Sequence, residues 1–335
     1  MKKAGGIPVG RTLMKSLRIG MVMDPIAGIT PAKDSSLAML LEAQSRGHEL
    51  ICFELNDLRL QNGDAYGRGR HVKVWDDPNK WYELGEYQDM PLGELAAILM
   101  RKDPPFNMEY IYATYILERA EKAGTLVVNK PASLRDMNEK AYTTWFPQCC
   151  PDTLITRNIS ELRKFKDHHK QIVVKPLDGM GGKSIFVVDH QDNNANVIFE
   201  TLTHDQTRYT LAQMYIPEIL QGDKRIILVD GKIPEYALAR IPDADDNRGN
   251  LVMGASAEIR ELTDRDRWIC EQVGPELSRR GVVFAGLDVI GNYLTEINVT
   301  SPTGIREIQK YAGENLAARL MDRIEQLLSE RRAAA

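Results

Sequence analysis

The sequence predicts an α/β protein, of the α+β kind, in which a parallel-sheet unit precedes a longer unit of hairpins and helices. Three observations carry that expectation. Strand and helix patterns alternate from Leu17 to Asn129, the order that places helices on the faces of a parallel sheet. A glycine-rich loop joins two β-patterned runs in VVKPLDGMGGKSIFVV, Val173 to Val188. The stretch GLDVIGNYLTEINVTSPTG, Gly286 to Gly304, sets Asp288, Glu296 and Asn298 among apolar neighbours on two short runs around Gly291-Asn292.

In chain order, Leu17 to Met23 reads as a strand ending in Asp24-Pro25, and Asp34 to Arg46 as a helix with Asp34, Ser35 or Ser36 as its N-cap. His48 to Glu54 and Ala97 to Met100 return as strands. Met108 to Lys122 is a helix stopped near Gly124, and Thr125 to Asn129 a strand. Gly63 to Trp75 is polar and glycine-rich, a hairpin excursion. From about Pro131 the texture changes. Helices are expected over Asn138 to Phe146, Ser160 to His168, Asn194 to Leu202, Thr263 to Arg280 and Asn315 to Arg331. Strands are expected over Gln171 to Lys175, Ile185 to Val188 and Tyr209 to Tyr215. A hairpin is expected from Arg225 to Val229 and Lys232 to Ile241 around Asp230-Gly231. Pro242 to Ser256 reads as a polar loop.

The 335 residues carry a net charge of −4 with 43% hydrophobic content. That length gives two or three domains and ample core. The mild acidity argues against a nucleic-acid protein, but nucleotides need only a few local cations. The four cysteines, Cys52, Cys149, Cys150 and Cys270, have neither CxxC spacing nor a disulfide framework, so a reduced, cytoplasmic setting is expected. No apolar run approaches the roughly 20 residues of a membrane span. Residues 1–15 are basic without an apolar core, read as a loose extension and not a secretory signal. None of the six histidines has metal or triad spacing.

Three oxygen-bearing side chains on one hairpin suit a hard cation such as Mg²⁺ (or Mn²⁺), and burying them is costly unless something binds them. A two-residue turn at Gly291-Asn292 pairs Asp288 with Thr295. A three-residue loop, Gly291 to Tyr293, pairs Asp288 with Glu296 and is the expected form. The GGKS end of the glycine loop is not a P-loop, because Leu177 stands where that motif needs glycine and a strand follows. Gly179, Gly181 and Gly182 open backbone N–H groups to a phosphate, and Lys175 supplies a cation at the strand end.

With Lys140 as a second phosphate-facing lysine, the chain resembles ATP-grasp ligases, and more narrowly prokaryotic glutathione synthetases from about Leu17 to Leu328. The residues that carry the resemblance are MVMDPI (Met21 to Ile26), KDSS (Lys33 to Ser36), LMRKDPPF (Leu99 to Phe106), YATYILERAE (Tyr112 to Glu121), VNKPASLRDMNEK (Val128 to Lys140), KPLDGMGG (Lys175 to Gly182), GDKRIILVDG (Gly222 to Gly231), RGNL (Arg248 to Leu251) and LTEINVTSPTGIREI (Leu294 to Ile308). The resemblance implies an ATP-grasp fold over 136–335, split into a lid part (136–215) and a C-terminal part (216–335), behind a pre-ATP-grasp domain over 16–135.

It further implies that ATP phosphorylates the C-terminal carboxylate of γ-glutamylcysteine and that glycine's amine attacks the acyl phosphate. The alternative is a ligase of the same fold for another carboxylate–amine pair, against which Arg101 to Phe106 argues. By resemblance, Lys140, Lys175 and the glycine loop hold ATP. Gln213, Tyr215 and Ile216 read adenine, and Asp223 accepts from ribose. Arg225 and Arg240 hold carboxylate or phosphate charge. Arg101, Arg248, Asn250, Ser301 and Thr303 face substrate, and Asp288, Glu296 and Asn298 hold the metal. A homotetramer is implied as well. Two departures stand out: Ser256 where relatives carry a loop arginine, and Lys183 where they are often small.

Overall fold

The structure, a computed structural model, describes residues 16–242 and 256–334. The N-terminal half begins with β1 (Arg18–Val22), α1 (Ser35–Ser45), β2 (Glu49–Phe53), β3 (Leu58–Gln61), β4 (Asp64–Val74), β5 (Tyr82–Pro91) and β6 (Ala97–Met100). It continues with α2 (Met108–Lys122), β7 (Leu126–Val128) and α3 (Pro131–Asp136). Strands β2, β1, β6 and β7 pair in parallel in that order, as the alternation predicts. The Asp34 carboxylate accepts from Leu37 N–H at 2.7 Å to start α1, and Asn107 caps α2 by accepting from Tyr110 N–H. The expected hairpin excursion is larger than predicted: β3, β4 and β5 form an antiparallel flap on the β2 edge.

A second sheet follows, built from β8 (Thr153–Thr156), β9 (Gln171–Pro176), β10 (Phe186–Asp189) and β11 (Thr210–Met214), with α4 (Ile159–His169) and α5 (Ala195–Thr203) packed on it. It is antiparallel in the order β10-β9-β11-β8 and has its own apolar cluster, with Leu162, Ile172, Val174, Val188 and Phe199 buried in it. The third sheet is β12 (Asp223–Val229), β13 (Tyr236–Ile241), β14 (Ser256–Glu261), β15 (Phe284–Ile290) and β16 (Tyr293–Asn298). Its order is β14-β13-β12-β15-β16, all antiparallel, and it packs with α6 (Asp264–Arg279), α7 (Ile305–Ala312) and α8 (Leu316–Ala334). Apolar clusters run without a break from the first sheet into the third.

Asn129, just past β7, fastens the first sheet to the third. Its Nδ2 donates to Phe284 O and Val299 O, each at 2.7 Å, and its Oδ1 accepts from Val283 N–H and Phe284 N–H. The amide is 4% exposed, so this junction satisfies four main-chain groups that would otherwise be buried without partners.

Several expectations need correction. The helix expected over Asn138 to Phe146 is a 3-10 turn at Ala141–Trp145, held by the Asn138 side chain. The hairpin expected around Asp230-Gly231 forms, closed by a bridge between Val229 and Lys232, but its second strand is shorter than expected. β13 starts at Tyr236 and meets β12 at its other end, Asp223 opposite Arg240. The strand β8 and the helices α3 and α7 were not expected. The extension 1–15 and most of the Pro242 to Ser256 loop lie outside the described residues, and Ser256 itself opens β14.

Candidate active site

A cleft of about 730 Å³ lies between the second and third sheets and reaches the first sheet at Asp103 and Pro104. Its roof is the loop between β9 and β10. These strands pair antiparallel, Phe186 opposite Val174, giving the expected strand, glycine loop and strand. A Cβ on Gly179 would lie 2.5 Å from Pro176 Cγ, and Gly181 and Gly182 have φ of 67° and 76°. Side chains there are therefore strained or obstructed. Beneath the loop, Lys140 Nζ donates to Gly179 O at 2.6 Å and meets Glu139 and, at 3.5 Å, Glu296. Lys175 Nζ, from β9, lies 3.2 Å from the same Glu296 oxygen. The two lysines thus share one carboxylate although 35 residues separate them in the chain (175 − 140).

Along one side wall, β11 ends at Met214, and Tyr215 N–H makes a last bond to Gln171 O at 3.2 Å. Ile216 follows off the ladder, and Gln213, Tyr215 and Ile216 all line the cleft. The Gln213 side-chain Nε2 donates to Thr153 Oγ1 at 3.1 Å.

The floor is the third sheet. β15 and β16 pair Asp288 directly with Glu296, and Gly286 with Asn298. The route to that pairing differs from the expected three-residue loop. The turn has two residues, Gly291-Asn292 between Ile290 and Tyr293, and a register shift next to Asp288 leaves Thr295 without an opposite number. This β-bulge changes the register by one and brings the two acids together. Thr295 Oγ1 donates to Asp288 O at 3.1 Å.

Each acid is neutralised separately. Arg225 grips Asp288 through Nε and Nη2, and Arg240 Nη2 reaches Asp288 Oδ2 at 3.0 Å. Burial alone would raise the Asp288 carboxyl, but the two guanidiniums outweigh it and hold Asp288 well below the usual carboxylate range. Glu296 is lowered in the same way: burial opposes, and the charges of Lys140 and Lys175 prevail. Asn298 lines the same wall, and its Nδ2 donates to Asp288 Oδ2 at 3.2 Å. Two carboxylates and an amide oxygen on one wall fit the oxygen-only donor set of Mg²⁺, which takes one or two carboxylates and leaves its remaining positions to phosphate and water.

Asp223, also on β12, pairs with Arg240. Burial pushes its carboxyl up to about 7 against the pull of Arg240, with Asp288 adding to the rise. Among the described residues, Asp223 Oδ1 and Arg240 Nε are buried without a partner. An acceptor and a donor in the cleft wall are therefore available to a ligand.

The substrate-facing residues divide. Ser301 and Thr303 line the cleft, but the Ser301 hydroxyl donates to Arg101 O at 3.3 Å, and Thr303 O accepts from Arg225 Nη1. Arg101 does not line the cleft as expected. It is 5% exposed and stacked on Phe284, with Nη2 donating to Pro302 O at 2.9 Å and Nε to Ser36 Oγ at 3.2 Å. Burial pushes its guanidinium down to about 10. Its neighbours Asp103 and Pro104 reach the cleft instead, because Arg101 N–H continues the ladder to Val22 O and turns its side chain inward. Arg248 and Asn250 lie outside the described residues. Glu139 was missed. It lines the cleft beside Lys140, and burial together with the charge of Glu296 raises its carboxyl. An acid next to a phosphate-facing lysine was the only signal available.

A glycine-rich strand loop closing over a second antiparallel sheet, with lysines above and acids below, defines an ATP-grasp ligase architecture. Solved structures agree on the fold: D-cycloserine synthetase superposes with a TM-score of 0.66 at 13% identity, covering 93% of this chain and 99% of that one. The ATP-grasp ligase PsnB, solved with a precursor peptide, gives 0.59 at 16% identity over 93% and 98%. The models of the prokaryotic glutathione synthetase N-terminal domain and ATP-grasp domain match residues 17–135 and 139–313. The glutathione synthetase of Pseudomonas putida is 55% identical over 316 residues, 94% of this chain and 100% of that protein. That of Escherichia coli is 55% identical over 314 residues, 94% and 99%. The chain belongs to the prokaryotic glutathione synthetase family.

Proposed function

We propose that the chain is an ATP-dependent ligase joining γ-glutamylcysteine to glycine, and that the cleft between the second and third sheets is where it does so. The observation that carries this is the sharing of Glu296 by Lys140 and Lys175. Two buried ammoniums face a glycine loop and a wall of acids, the arrangement needed to gather phosphate charge and a metal in one place.

In this reading the ATP phosphates take the place of Glu296 on the two lysines, and the N–H groups of Gly181 and Gly182 close over them. Main-chain groups of Gln213 to Ile216 read the adenine edge, and the unpartnered Asp223 Oδ1 accepts from a ribose hydroxyl. Asp288, Glu296 and Asn298 would hold Mg²⁺ (or Mn²⁺), which when bound offsets phosphate charge and polarises the transferring group. The C-terminal carboxylate oxygen of γ-glutamylcysteine attacks the γ-phosphorus, and ADP leaves. Arg225 and Arg240 are placed to hold the acyl phosphate. Glycine's neutral amine then attacks the acyl carbon, phosphate leaves with the C–O electron pair, and the nitrogen loses a proton as the amide forms. Ser301 and Thr303 form the substrate edge, with Arg101 fixing that edge from behind through Pro302 O. Arg248 and Asn250 are assigned to substrate on the family resemblance. The same reading carries domain limits at 135/136, a cytoplasmic location and a homotetramer; sedimentation tests the last.

The test of the function is ADP release with each substrate omitted in turn. Release that needs both γ-glutamylcysteine and glycine supports the proposal. Turnover with another amine or peptide in preference to this pair would overturn it. Glu296→Gln should raise the Mg²⁺ concentration for half-activation, and an unchanged midpoint would remove Glu296 from the metal set.

A further inference from the structure

The turn that carries Lys140 is tied into the site by a residue outside the cleft wall. Asn138 Oδ1 accepts from Lys140 N–H at 3.1 Å and Ala141 N–H at 2.9 Å, capping the 3-10 turn. Its Nδ2 donates in the opposite direction, to Leu177 O at 2.9 Å. Leu177 stands midway between Lys175 at the end of β9 and Gly179 of the glycine loop. The next residue extends the connection: Glu139 O accepts from Ile297 N–H at 2.8 Å, between Glu296 and Asn298 on β16. One three-residue segment thus meets the loop above the cleft and the acid strand below it.

Among the described residues, the other hydrogen bond from the turn to the loop is that of Lys140 Nζ to Gly179 O. That contact is the one a phosphate would compete for. When Lys140 turns to a ligand, the Asn138 amide remains as the neutral link between turn and loop.

We propose that Asn138 is a positioning residue for the nucleotide, its side-chain amide holding the Lys140 turn against the glycine loop so that Lys140 and Lys175 reach the same phosphate chain. This rests on the reading that the two lysines hold ATP. The two halves of the amide have separable tasks. The oxygen caps the turn, which a serine or aspartate also does. The nitrogen spans to Leu177 O, which a serine is too short to reach and which an aspartate opposes with a second acceptor.

The experiment is binding of a non-hydrolysable ATP analogue with Mg²⁺ to the full chain, together with steady-state KM values for ATP, γ-glutamylcysteine and glycine. Asn138→Ser should weaken the analogue by about tenfold, the scale of one lost hydrogen bond to a held main-chain group, and raise the KM for ATP alike. The other two KM values and the Tm should stay near those of the parent. Asn138→Asp should weaken the analogue at least as much, and it answers the question if the serine variant folds poorly. Unchanged analogue binding in a folded variant overturns the proposal. So does a rise of all three KM values together, which is the mark of general loosening. Lys140→Met is the control: if it leaves analogue binding intact, the assignment of the lysines to ATP fails, whatever Asn138 does.

Discussion

Asp288 and Glu296 are direct cross-strand neighbours, yet they are neutralised from opposite sides, Asp288 by Arg225 and Arg240 and Glu296 by Lys140 and Lys175. The arginines come from the same sheet as the acids, whereas the lysines come from the turn and strand above the cleft. In the proposed reading, Glu296 is therefore the acid whose partners change when phosphate enters. Asp288 is the acid whose partners are built into the floor.

That difference gives a first prediction. Arg225→Lys keeps a charge but loses the two-pronged grip on Asp288, leaving a buried carboxylate half satisfied. The expected cost is about 2–4 kcal/mol of stability, read as a lower urea midpoint, together with a fall in kcat. A variant as stable and active as the parent would show that Arg240 alone suffices.

The glycine loop gives the second. Gly179→Ala places a Cβ against Pro176 and displaces the carbonyl that receives Lys140. The KM for ATP should rise by about tenfold, with the KM for γ-glutamylcysteine little changed. Kinetics with each substrate varied in turn checks it.

Asn129 gives the third. Asn129→Ala strands four main-chain groups at the junction of the first and third sheets. Stability should drop by about 2–4 kcal/mol, since each buried unpaired group costs on the order of 1 kcal/mol or more. Specific activity of the folded fraction should be kept. Thermal unfolding and active-site titration separate the two effects.

Asp223 predicts a pH dependence. Its folded-state pKa of about 7 lies above the ordinary unfolded value near 4. Between those limits the folded chain keeps a proton that the unfolded chain has released. The contribution is complete below about pH 4 and is lost as pH rises to about 7. The Tm of the parent should therefore fall relative to Asp223→Asn across that window. A difference that does not vary with pH would contradict the assignment.

The cysteines give the last. All four are free thiols, and burial pushes Cys52, Cys150 and Cys270 up to about 12. The native enzyme should resist alkylation at pH 8, when almost no thiolate is present, and lose that resistance in denaturant. Mass spectrometry of the alkylated protein reads the outcome.

Much of this was legible beforehand. The start of the first helix was within reach, Asp34 being one of three candidate caps, because capping is a contact between near neighbours in the chain. The strand, glycine loop and strand around Lys175 also followed from local sequence, since β-branched residues flank glycines that no side chain could replace. The Asn138 turn misled because its polar pattern suits a helix, while the distant carbonyl of Leu177 draws on the same amide.

By itself, then, the sequence determined the alternating strands and helices of the N-terminal half, the glycine loop, the acids of the last hairpin and the family to which they point. Tertiary structure decided how those residues are used. The bulge at Thr295 brings Asp288 and Glu296 together across a two-residue turn. Burial takes Arg101 out of the cleft and brings Glu139 into it. Charge pairing gives Lys140 and Lys175 one common partner. Each of these depends on distances between segments far apart in the chain, where electrostatics and burial act through space and local pattern carries no record of them.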